Sequence, residues 1–172
     1  MRAGSLLRFS ATVLALALAL AEPADGDSPP LRMEEAPAAV AAAFERSLST
    51  ATARLSSPLC ARVFRDFRDS SGVPLVRNLE ASGDSGAGYL RKLVFYDGGS
   101  EPPCDRRGVF AFTVPGSRVV RICSERFLEG ESSSTSLAAA LLIHEELHSL
   151  GLGENPPSSR QITEQVVARC GR

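Results

Sequence analysis

The chain of 172 residues predicts an α+β domain: a small, mostly antiparallel sheet with N-terminal helices, a central helix and a short C-terminal helix. Three observations carry that expectation. The run LAAALLIHEELHSL at 137–150 is apolar nearly all round, as a buried central helix should be. Segments 89–96, 109–114 and 118–123 have the apolar, β-branched or aromatic character of strands, and the last two flank Pro115-Gly116-Ser117 as in a hairpin. Val40, Phe44 and Leu48 recur at i+4 in a segment opened by Pro37, which marks an amphipathic helix running to about Leu55.

Residues 1–21 carry Arg2 and Arg8, then the apolar stretch ATVLALALAL, then the small-x-small sequence Ala19-Leu20-Ala21. The apolar stretch is too short to span a bilayer and has the layout of a secretory signal peptide cleaved after Ala21. The expectation is a secreted or periplasmic protein with no membrane span. Residues 22–36, EPADGDSPPLRMEEA, read as a flexible leader, and 37–172 as one domain. Without residues 1–21, 17 basic and 20 acidic side chains remain, a formal charge of −3. That balance excludes a nucleic-acid or membrane-surface binder driven by basic charge, and a monomer is expected.

Ser57-Pro58 ends the first helix, and Leu59, Val63 and Phe67 outline a second, shorter one. Residues 73–88 are rich in Gly and Ser and predict mostly loop. Four cysteines, Cys60, Cys104, Cys123 and Cys170, contain no C-x-x-C pair, so disulfides are favoured over a structural metal site. Of three connectivities, Cys104–Cys123 is favoured because both border the hairpin. Cys60–Cys170 would then staple the last helix to an early one.

The chemistry concentrates in the central helix. His144 and His148, the only histidines, stand four apart, an advance of about 400° and 6 Å that puts both imidazoles on one face. Glu145 lies about 100° round from His144, near enough to act on a water beside a metal ion held by the pair. This is the H-E-x-x-H arrangement. Glu146, on the far side, is expected to be a solvated or paired charge. Gly151 suits a left-handed helix end, after which the chain can double back and bring Glu154 to the metal as third ligand. Asn155-Pro156-Pro157 predicts an extended exit. Ser158 with Gln161 then makes a capping box for a final helix over about 159–169.

The sequence H-E-E-L-H-S-L-G-L-G-E resembles the extended zinc signature H-E-x-x-H-x-x-G-x-x-H of the metzincin clan of zinc metallopeptidases, with His144, Glu145, His148 and Gly151 matching residue by residue. It departs from that signature at Glu154, which stands where the clan has histidine. No methionine follows the motif, Met1 and Met33 being the only two, so a Met-turn is excluded. The chain is therefore zincin-like, and the resemblance implies a minimal zincin-like domain binding one Zn²⁺ per chain, with Glu145 as general base in peptide-bond hydrolysis. Its partner would be a peptide or protein substrate. The resemblance also implies that a strand within 118–123 forms the edge on which substrate lies. Glu164, on the final helix, occupies the place of the downstream glutamate of gluzincins and rivals Glu154 as third ligand. Tyr89 and Tyr96, the only tyrosines, are not ranked as oxyanion donors and are expected in the strand core. The alternative function is a secreted zincin-like binding domain without turnover.

Overall fold

The computed structural model describes Met33 and residues 36–171. The expected signal peptide lies outside the described residues, as does most of the leader. Met33 itself is buried in the core, and Ala36 packs against it. This end of the expected flexible leader is thus part of the domain.

The chain forms α1 (Ala38–Leu55), then a 3₁₀ turn (Cys60–Arg62) running into α2 (Val63–Asp66). Two helices follow, α3 (Leu75–Ser82) and α4 (Gly86–Arg91), in the segment expected to be loop. Leu75 and Leu79, four apart and both buried, anchor α3, and Gly83 ends it with φ 74°. Ser85 caps α4 by accepting from the Gly88 amide. Gly86 is required there, because a Cβ at that position would lie 2.6 Å from the Phe64 ring. The expected strand at 89–96 accordingly shrinks to β1 (Val94–Asp97), with Tyr89 to Arg91 helical. In so short an apolar run, period alone does not separate helix from strand.

A 3₁₀ turn (Pro102–Asp105) leads to β2 (Ala111–Thr113) and β3 (Val119–Ile122), the expected hairpin. The strand order is β1-β3-β2: β3 pairs antiparallel with β2 and parallel with β1, so the sheet is mixed. A parallel neighbour cannot be reached by a tight turn; β1 gains its place beside β3 because the intervening chain crosses to the other side and returns as β2. Helices α5 (Ser124–Ser133), α6 (Thr135–Ser149) and α7 (Ser159–Cys170) complete the α+β domain. No apolar periodicity announces α5, in which Phe127 is the one fully buried large side chain.

Helix α6 is the centre of the packing. Ser134 caps it by accepting from the Leu137 amide, and α1 lies along it, Arg54 donating to the Ser136 carbonyl at 2.8 Å. Arg46 of α1 makes a two-pronged pair with buried Glu131 of α5, both bonds 2.9 Å. Leu142, Ile143 and Leu147 are fully buried, and at about 1.5–3 kcal/mol each they offset the cost of carrying polar groups in the same helix. Both expected disulfides are present, Cys60–Cys170 tying α7 to the turn before α2 and Cys104–Cys123 tying the second 3₁₀ turn to the end of β3. Among the described residues no helix is long and apolar enough to cross a membrane.

Candidate metal centre

His144 and His148 project from one face of α6, their Nε2 atoms 2.9 Å apart. The helix then stops abruptly. Gly151 adopts φ 106°, and its amide donates to the His148 carbonyl at 2.8 Å. The same carbonyl accepts from Gly116 at 2.9 Å, so the β2–β3 turn is docked on the helix end. From α3, Asn78 donates to the Leu150 carbonyl and to Asp69, each at 2.9 Å, which tethers the reversal from the other side. The chain thus returns at once, and Glu154 Oε1 arrives 3.4 Å from His148 Nε2 and 3.8 Å from His144 Nε2.

Those three atoms form a donor set that could hold a metal ion. Atoms about 2.0–2.1 Å from a tetrahedral ion stand about 3.3–3.4 Å apart, and the observed separations straddle that spacing. Glu164 is elsewhere, an exposed side chain 3.6 Å from Arg160 on the outside of α7. Beyond Glu154 the expected extended exit is instead a tight turn: Asn155 has φ 63°, both following peptide bonds are cis, and the Asn155 amide donates to Pro157. The capping box of Ser158 and Gln161 starts α7 as expected.

The orientation of each imidazole is held from behind. His148 Nδ1 lies 2.7 Å from the Leu152 carbonyl, which can only accept, so this nitrogen carries the proton and Nε2 presents a lone pair. His144 Nδ1 lies 2.9 Å from Thr163 Oγ1 on α7. A hydroxyl donates or accepts, so Thr163 serves either tautomer of His144. Without a cation, His144 Nε2–H can donate to His148. In the other tautomer Nδ1 would carry the proton and the threonine hydroxyl would accept it, which would leave both Nε2 lone pairs available to a metal ion held by His144, His148 and Glu154.

Burial, with the neighbouring His148 adding to it, pushes the His144 pKa down to about 3, so its ring is neutral and able to ligate near neutral pH. Burial and the charge of Glu154 raise Glu145 to about 8. The Thr113 hydroxyl of β2 opposes that shift, although neither Thr113 Oγ1 nor Glu145 Oε2 makes a hydrogen bond of standard geometry. Glu146 overturns the expectation of a solvated or paired charge. It is wholly buried, neither carboxyl oxygen has a partner among the described residues, and burial holds its pKa well above the ordinary value.

The donor set and Glu145 border a cavity of about 440 Å³, whose other wall includes Arg106, Phe110, Ala111, Phe112 and Thr113. Strand β3, expected to be the substrate edge, is the middle strand; β2 is the edge that faces the cavity. Neither tyrosine lines it. Tyr89 is buried in α4, its hydroxyl donating to the Ser149 carbonyl, and Tyr96 on β1 lies under the Arg121 guanidinium. Thr113 and Thr163 are the residues that sequence reasoning did not single out. For Thr163 the available signal was faint: it sits one position from the inward face set by Ile162, Val166 and Cys170. No protein-family model, curated protein or solved structure matches the chain.

Proposed function

We propose that the chain is an exported zinc-dependent peptidase whose metal is held by His144, His148 and Glu154 and whose general base is Glu145. The observation that carries this reading is the convergence of two imidazole nitrogens and a carboxylate oxygen, at 2.9, 3.4 and 3.8 Å, beside a buried glutamate on the same cavity. A binding-only site has no use for that glutamate. Two nitrogens and one oxygen are a donor set typical of catalytic zinc, three protein ligands leaving one position open.

When bound, zinc would polarise the substrate carbonyl and lower the pKa of water at the open position towards about 7. Glu145 takes the proton of the attacking water and returns it to the leaving amine. As the chain stands, burial and Glu154 push Glu145 up to about 8; positive charge held by the three ligands acts in the opposite direction, favouring the carboxylate that a base must be. The Thr113 hydroxyl, on the sheet side of Glu145, likewise opposes the rise caused by burial. The free edge of β2 offers main-chain groups to an extended peptide beside the cavity. The two disulfides fit an oxidising, extracellular-type compartment.

The test is metal content and peptide hydrolysis of the purified protein and its Glu145→Gln variant. About one zinc per chain in both is expected, with hydrolysis reduced about 10²–10⁴-fold in the variant. Undiminished hydrolysis by Glu145→Gln, or a wild-type protein that takes up no zinc, would refute the proposal.

A further inference from the structure

We infer that Arg106 is a specificity-determining residue of this cavity, selecting peptides that place a carboxylate near an apolar side chain. The inference rests on the peptidase reading. Beside the metal ligands the cavity is lined in part by apolar residues, among them Val109, Phe110 and Leu141 of α6. Arg106 is the one guanidinium among the described lining residues, and it makes no ion pair within the described chain.

Its backbone is nonetheless held in place. The Arg106 amide donates to the Pro103 carbonyl, and the turn containing both is bound to the end of β3 through Cys104–Cys123. The side chain itself is exposed, and its guanidinium has no hydrogen-bond or ion-pair partner among the described residues, so its full donor capacity is open to a ligand at this part of the lining. The other acidic side chains lining the cavity are Glu145 and Glu154, which belong to the proposed base and metal site, so Arg106 is the permanent cation among the described lining residues that is not already assigned a role. A peptide carrying a carboxylate is favoured where the planar donor fork of Arg106 can receive it in two parallel bonds. Phe110 and Leu141 take the neighbouring apolar side chain. The carboxylate belongs either to an internal Asp or Glu or to the free C-terminus of the peptide.

Two hydroxamates with the same benzyl group, one ending in a carboxylate and the other in a neutral amide, test this by calorimetry on the zinc-loaded full chain. The wild type should bind the carboxylate compound about tenfold more tightly. That preference should vanish in Arg106→Gln and reverse in Arg106→Glu, while the amide compound binds all three alike and reports an intact site. Equal binding of the two compounds by the wild type, a preference that survives in Arg106→Gln, or failure to bind either compound overturns the inference. Cleavage of peptide pairs then identifies the source. Preference for an internal acidic residue, or for a free over an amidated C-terminus, supports the inference; cleavage indifferent to both overturns it while leaving the peptidase reading intact. Carboxylate-selective binding with no cleavage of any peptide supports recognition by Arg106 and defeats the peptidase reading instead.

Discussion

Glu145 and Glu146 are consecutive residues of α6, both withdrawn from water, and they face different worlds. Glu145, 5% exposed, borders the cavity with Glu154 and Thr113 near its carboxyl group. Glu146, 0% exposed, turns about 100° away into the packed interior, where neither oxygen finds a partner. Burial raises both pKa values. Only on the cavity side could a bound cation oppose that effect, so under the proposed function the same side chain would serve as a base on one face, while on the other burial favours the protonated form. What distinguishes them is the company the tertiary structure supplies.

The comparison can be broken most directly at Glu154. Glu154→Ala should abolish stable zinc binding at micromolar metal, whereas Glu164→Ala should bind like the wild type, measured by competition with a chromogenic chelator. Loss of metal in the Glu164 variant alone would reverse the assignment. Replacing Cys60 and Cys170 together by alanine should cost about 2–5 kcal/mol in denaturant unfolding, and because α7 carries Thr163, the surviving folded protein should also hold zinc more weakly. An unchanged zinc affinity would separate the staple from the cavity face.

A smaller effect on the cavity side is expected from Thr163→Val. The substitution keeps the shape but removes the acceptor for His144 Nδ1–H, and should weaken zinc binding about 10–100-fold with little loss of fold stability. The smallest effect belongs to the core side. Below an unfolded-state pKa near 4.5, Glu146 is protonated whether the chain is folded or not. Above it, the unfolded chain releases the proton that the native state retains, so metal-free stability falls as pH rises. Glu146→Gln removes that contribution. Relative to the wild type it should be near neutral at pH 4.5 and gain about 1 kcal/mol or more by pH 8, read by urea unfolding of the metal-free proteins. An unchanged difference across that range would show that Glu146 ionises alike in both states.

Much of the site was legible because it is local. The spacing of His144 and His148 within one helix, the left-handed glycine at 151 and the capping box at 158–161 each lie within a turn or two of chain, where backbone geometry leaves few choices. The α+β class and the hairpin followed from apolar patterning, and both disulfides from the cysteines' places beside predicted elements. The segment 73–88 was misread because its Gly and Ser residues are helix caps and a close approach to Phe64, not loop, and only the packing partner tells these apart.

By itself, then, the sequence determined the helix, the shared face of its two histidines and the sharp reversal after them, since these depend on the few residues that form them. The tertiary structure decided which glutamate closes the donor set, that Thr163 and Leu152 orient the two rings, that β2 and not β3 is the edge beside the cavity, and that Glu146 is buried without a partner. Most of those outcomes join elements distant in sequence. Even Glu154, six residues from His148, is held near the rings by a loop tethered to α3 and to the β2–β3 turn. Spacing determines which side chains share a face; only packing determines what stands opposite them.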